Sequence, residues 1–245
     1  MIRPIRGFTL VEMAVVLFIV GLLMVGMMFT LTAQIELRNA EETRRRLEEA
    51  REALLSYAIA NGRLPCPAIT PTGTNDGLEA PVGGGACTNY TSGFLPARTL
   101  GLGGADSTGI AVDAWNNRIR YIVSSGSSPH FTNATTLRSN GLATLPTTLK
   151  ICSTATGISA SACSGTATYV VDSSTSIAAI VFSTGKNGNV TPTSADELAN
   201  LDNNATFVSR TPTPADSSSG AFDDQFAWIT APALYGRLVS AGILP

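Results

Sequence analysis

Histidine and lysine are almost missing from this 245-residue sequence, which has one histidine, His130, and two lysines, Lys150 and Lys186. A lone histidine beside Pro129 in a serine-rich stretch has no partner pattern for acid–base or nucleophilic chemistry. Gly185-Lys186 lacks the Gly-x-x-x-x-Gly-Lys-Ser/Thr loop that cradles phosphate, and no Ser-x-x-Lys occurs. An enzyme is therefore not expected. Charge is also scarce, at 14% of residues, and the formal net charge is -2. No global field then favours nucleic acid. Cys-x-x-Cys pairs are missing as well, so with a single histidine the ligand spacing of a zinc site is absent and no metal ligand is assigned. Finally, no proline stands between Pro4 and Pro65, so nothing in that stretch forbids a helix.

A short basic start, Met-Ile-Arg-Pro-Ile-Arg-Gly, occupies residues 1–7. From Phe8 to about Leu31 the chain is nearly all apolar, which matches the roughly 20 residues needed to cross a bilayer. A secretory signal would have a shorter apolar core, about 7–15 residues, followed by an Ala-x-Ala site. The segment therefore reads as a retained span. Arg3 and Arg6 precede it, which puts the N-terminus in the cytoplasm and the rest of the chain on the far side.

Strong helix formers continue through residues 33–60. Leu37, Ala40, Leu47, Ala50, Leu54 and Tyr57 recur at helical steps and make one apolar stripe, expected to pack on the chain's own globular domain. Asn61-Gly62 supplies a stop and Pro65 forbids continuation. The spacing predicts one helix over 8–62, membrane-embedded over 8–31, about 80 Å long at 1.5 Å per residue.

Residues 63–245 are rich in Gly, Ser, Thr, Asn and Pro and predict a loop-rich, mostly antiparallel β domain. Strands are expected at Arg118–Val123, Tyr169–Asp172 and Ile177–Ser183, a hairpin turn at Gly185–Gly188 with positive φ at Asn187-Gly188, and one short helix over Asp223–Leu244 with Leu234, Leu238 and Ile243 inward. The fold class is thus α+β. Four cysteines, Cys66, Cys87, Cys152 and Cys163, all follow the apolar stretch, which predicts disulfides and an oxidising compartment. Of three possible connectivities, proximity favours Cys66–Cys87 and Cys152–Cys163.

The string Gly7-Phe8-Thr9-Leu10-Val11-Glu12 places a carboxylate inside the apolar stretch. At the centre of a bilayer such a group costs about 2.5–3.5 kcal/mol, less near an interface. The string resembles the processing site of type IV prepilins and type II secretion pseudopilins. That resemblance implies cleavage after Gly7 by a prepilin peptidase, methylation of the new amine on Phe8, and a role for Glu12 in assembly. It also implies storage in the bacterial inner membrane, like subunits as partners through the N-terminal helix, and extraction into a fibre by a membrane assembly machine. Glu12 of one subunit would neutralise the Phe8 amine of its neighbour at one axial offset, which sets register.

Asp113-Ala-Trp115-Asn116-Asn117…Tyr121 is similar to the Asp-x-Trp-Gly-Asn…Tyr segment of secretion pseudopilins, with Asn116 where the family has glycine. Ile180–Gly188 is similar to the strand and turn that follow it there. The proline usual in the span of major pilins is missing. Three roles stay open: pilin or pseudopilin, a minor pilin acting as tip adhesin or DNA-uptake receptor, and a membrane-anchored periplasmic domain that never polymerises. Residues 63–245 carry nine basic against eleven acidic side chains. Only Arg118 and Arg120 cluster, so nucleic acid is not an expected partner. No cofactor is expected. Calcium, which related major pseudopilins hold in a C-terminal loop, would find Asp196, Asp202 and Asn204 there.

Overall fold

The computed structural model describes residues 7, 9–73, 76–125, 131–140, 148–171 and 177–244, with the side chains of 25–32 outside the description. Phe8, His130 and residues 1–6 fall outside it, as does Asp172. Among the described residues eleven elements follow one another, beginning with a 52-residue helix α1, Leu10–Asn61. Gly62, at φ 67°, follows its end, as the stop signal requires. The remainder comprises β1 Gly93–Phe94, α2 Ala97–Leu100, β2 Arg120–Val123, α3 Ala134–Asn140, β3 Lys150–Cys152 and β4 Ile177–Ser183. The last four are α4 Ala195–Ala199, β5 Thr206–Val208, β6 Gln225–Thr230 and α5 Ala231–Ser240.

Two compact units meet within α1, one ending at Glu41 and the other starting at Glu42. In the first unit every described side chain from Thr9 to Met24 is exposed. Among the described residues no helix is long and apolar enough to cross a membrane. The expected span over 8–31 includes Phe8 and the side chains of residues 25–31, which lie outside the described residues. Leu37, expected in the packed stripe, is 67% exposed.

The second unit is built on a four-stranded antiparallel sheet in the order β1-β2-β4-β6. Side chains alternate across it with the strand period of two. Tyr121, Val123, Ala179 and Val181 face a core that includes Leu47, Ala50, Leu54 and Ala58 of α1, with Leu234, Tyr235 and Leu238 of α5. Ile122, Ile180 and Phe182 face a second core with Ile151 and Phe207. These last two come from a separate two-stranded parallel pair, β3 with β5. Because both faces are covered, β4 is buried along its whole length. That is why Ile177–Ser183 reads as a continuous apolar run instead of alternating. Each fully buried Ile, Val or Phe there contributes about 1.5–3 kcal/mol.

Three expectations need correction. Asp223–Leu244 is a strand followed by a helix, not one helix. Phe226, Trp228 and Ile229 pair with β4, and the helix begins where the Thr230 hydroxyl accepts the Ala233 amide and Pro232 removes an unneeded donor. Tyr169 forms an isolated bridge to Cys152 in place of a strand. The turn after β4 is not a hairpin, because β4 next pairs with β6, far along the chain. Its positive φ falls at Gly185, 62°, and not at Asn187-Gly188. A side chain at Gly185 would collide with Asp223, so the turn closes where only glycine fits.

Disulfides join Cys66 to Cys87 and Cys152 to Cys163, closing sequence separations of 21 and 11. Each closure contributes on the order of 3 kcal/mol in the chain-entropy account. Peptide mapping of unreduced protein checks the pairing; a Cys87–Cys152 peptide would show it wrong.

Candidate functional site

The N-terminal motif forms the first turn of α1. Thr9 stands just before the helix and Glu12 lies in its first turn. The Thr9 amide donates to Glu12 Oε2 at 2.8 Å and the Thr9 hydroxyl donates to the same oxygen at 2.9 Å. The Glu12 amide in turn donates to Thr9 Oγ1 at 3.3 Å. This reciprocal pair is a capping box, in which two of the helix's unsatisfied amides find side-chain oxygens. Thr-x-x-Glu ahead of an apolar run was the available signal, and reading Glu12 only as a charge overlooked it. Glu12 is exposed, so in this chain its carboxylate is committed to Thr9 and not to a buried partner. Gly7 is also exposed, and a Cβ added there would meet none of the described residues within 4 Å. The fold itself therefore places no demand for glycine at that position. Phe8 lies outside the described residues.

The two segments similar to secretion pseudopilins meet in the second unit. Asp113 is 2% exposed. Its Oδ1 accepts the amides of Trp115 at 2.9 Å and Asn117 at 2.8 Å, and its Oδ2 accepts the Ser183 hydroxyl at 2.5 Å. Asn117 Nδ2 donates to the Gly185 carbonyl at 2.6 Å. Asn116, where the family has glycine, has φ 67°, a left-handed conformation that asparagine tolerates better than most residues. On α1, Arg46 Nη1 donates to the carbonyls of Val112 at 3.0 Å and Asp113 at 2.9 Å. The junction thus fastens the Asp113–Asn117 loop to β4 on one side and to the lower half of α1 on the other.

The side-chain partners of Asp196 lie elsewhere than Asp202 and Asn204. Asp196 Oδ2 is paired with Arg210 Nε at 2.5 Å and its Oδ1 accepts the Ala155 amide. Asp202 and Asn204 hydrogen-bond each other on the surface. Different carboxylates converge: oxygens of Glu197, Asp223 and Asp224 all lie within 4.8 Å of one another. Asparagines cap two of them, Asn187 Nδ2 on Glu197 at 3.0 Å and Asn200 Nδ2 on Asp224 at 2.7 Å. Burial, with the neighbouring Glu197 and Asp223 charges, pushes the Asp224 carboxyl up to about 8. Burial and Glu197 likewise push Asp223 up to about 6. Protonation can therefore relieve the like-charge crowding.

A family model, the prokaryotic N-terminal methylation motif, matches residues 2–28. That motif is the hallmark of type IV pilin and pseudopilin precursors. No curated protein and no solved structure matches the chain.

Proposed function

We propose, for a chain that carries the N-terminal methylation motif of type IV pilin and pseudopilin precursors, the role of a structural fibre subunit. It is held in the inner membrane by its N-terminal segment, cleaved between Gly7 and Phe8 by a prepilin peptidase, and methylated on the new amine. An assembly machine then moves it into a pilus or a secretion pseudopilus. The observation that carries this reading is the motif itself at residues 2–28. The exposed apolar run Leu10–Met24 supports it. A surface of Val15, Val16, Leu17, Ile19 and Val20 has no cover from its own described residues and suits either lipid or like helices. Helix bundling in such a setting is held by van der Waals packing.

The second unit supplies the part that stays in water. Two disulfides and a sheet covered on both faces make it suited to an oxidising compartment. Intact-mass spectrometry of protein extracted from membranes tests the proposal. The expected mass is that of a chain beginning at Phe8 with one added methyl group, and the mass of the uncut chain in a strain lacking prepilin peptidase. A chain starting at Met1 in both strains would overturn the reading.

A further inference from the structure

The loop between α4 and β5 ends in Asp202-Asn203-Asn204-Ala205-Thr206. Asn-x-Thr is the acceptor pattern for attaching an oligosaccharide to the asparagine amide. The chain has three other copies of it, at Asn89, Asn133 and Asn189. Only Asn204 has an acidic residue two places ahead; Cys87, Phe131 and Asn187 hold that place in the others. A carboxylate there offers an enzyme with a basic subsite a second, charged handle on the same segment.

The two side chains that define the pattern sit in different surroundings. Asn204 is partly exposed, next to the exposed Asp202 and Asn203. Its Oδ1 accepts the Thr206 amide at 2.6 Å, and its Nδ2 donates to Asp202 Oδ2. Among the described residues the second Nδ2 hydrogen has no acceptor, so a sugar can replace it with the loop unchanged. Thr206, by contrast, is 0% exposed at the start of β5. Its hydroxyl is sealed in without a hydrogen-bond partner among the described residues. Folded proteins rarely keep such a group. Valine would suit a buried strand position and leave no polar group unsatisfied. The fold therefore supplies no reason for a hydroxyl at this position, whereas the acceptor pattern requires one.

We infer that Asn204 is a site of N-linked glycosylation, modified while the segment is still extended, before β5 pairs with β3 and encloses Thr206. The donor is an oligosaccharide carried on a lipid pyrophosphate. Asn204 Nδ2 forms a bond to the anomeric carbon as the bond from that carbon to the pyrophosphate oxygen breaks. The lipid pyrophosphate leaves with the electron pair, and the amide proton passes to a base of the transferase. Two disulfides point to an oxidising compartment outside the cytoplasm for this part of the chain, the side on which such a transfer meets the unfolded segment. The inference does not depend on whether the chain polymerises.

Mass spectrometry of the full chain, extracted from the membranes of its own cells, tests it. The tryptic peptide 187–210 should carry added sugar mass in at least half of the copies. That peptide also contains Asn189, so electron-transfer fragmentation assigns the site. Asn204→Gln and Thr206→Val should each cut the sugar-bearing fraction tenfold or more, and Thr206→Ser should keep it. Thr206→Val should also melt at or above the temperature of the sugar-free wild-type chain, made in cells that lack the transferase. A bare peptide overturns the inference, as does sugar mapped to Asn189. So does sugar that survives Thr206→Val or is lost from Thr206→Ser. A Thr206→Val chain that melts more than about 5 °C lower would show that the hydroxyl serves the fold, which also overturns it. Because the peptide lies in the second unit, the result is read independently of cleavage after Gly7.

Discussion

Replacing Glu12 by Ala or by Gln is expected to leave membrane-held protein at or above the wild-type amount and to cut the subunit's incorporation into fibres tenfold or more. Removing a carboxylate from an apolar helix lowers the cost of placing that helix in lipid. In a fibre, the amine created on Phe8 would lose the partner that neutralises it, and an unpaired buried charge is strongly unfavourable. The capping box separates two causes. Thr9 and Glu12 exchange hydrogen bonds across the first turn of α1. Gln at this position keeps that geometry, because an amide oxygen also accepts the Thr9 amide, whereas Ala loses it at about 0.5–2 kcal/mol. Equal losses for Ala and Gln identify the charge as the cause. A loss confined to Ala would assign Glu12 to helix capping. Wild-type incorporation of both variants would end the assembly role. Fractionation of membrane-held and fibre-held protein, scored for this subunit alone, gives the readout.

Glu79→Ala is expected to lower the stability of the second unit by about 3–5 kcal/mol, the range for breaking a buried ion pair by removing one partner. Glu79 is 4% exposed and Arg63 is 8% exposed. Their contact is bidentate, Arg63 Nη2 to Oε1 at 2.7 Å and Nη1 to Oε2 at 2.8 Å. Oε1 also accepts the Tyr57 hydroxyl at 3.0 Å, and Oε2 accepts the Cys66 amide at 3.0 Å. One carboxylate therefore holds α1, the chain leaving it and the first disulfide in a single network. Its loss strands the Arg63 guanidinium, and the midpoint of thermal unfolding should fall by roughly 6–20 °C. A shift under 2 °C would show that solvent reaches Arg63 and that the pair contributes little.

The same group fixes a pH dependence. Burial alone would raise the Glu79 pKa; the Arg63 guanidinium and the Cys66 amide outweigh burial and hold it below the ordinary 4.5. A carboxyl depressed on folding stabilises the native state above its unfolded pKa, and that contribution is lost as pH falls through the folded value. Wild-type melting temperature should therefore drop below pH 4.5 more steeply than that of Glu79→Ala. Parallel melts from pH 7 to pH 3 measure the difference.

Local chemistry made much of this protein readable from its residues. The prepilin-like string needs no fold to be recognised, because a short basic start, Gly7, Thr9, Glu12 and an apolar run are contiguous. The end of α1 at Asn61 follows from Asn61-Gly62 and Pro65, since backbone conformation at a helix stop is a property of those residues. Ile177–Ser183 was plain as a strand because β-branched and aromatic residues fill it. Leu47, Ala50 and Leu54 announced a packed stripe by spacing alone.

What the residues could not announce required knowing which parts of the chain meet. Gln225–Thr230 is a strand because β4 offers an open edge at that point, and a local reading extended the helix across it. Tertiary pairing overrides short-range pattern in so short a segment. Gly185 takes the left-handed turn because Asp223, 38 positions later, occupies the space a side chain would need. The Glu197, Asp223 and Asp224 cluster and the Arg63–Glu79 pair both join residues distant along the chain. Composition sets the odds that charges are few; only packing decides which of them end up buried, and burial is what turns a carboxylate or a guanidinium into a network or a crowded trio.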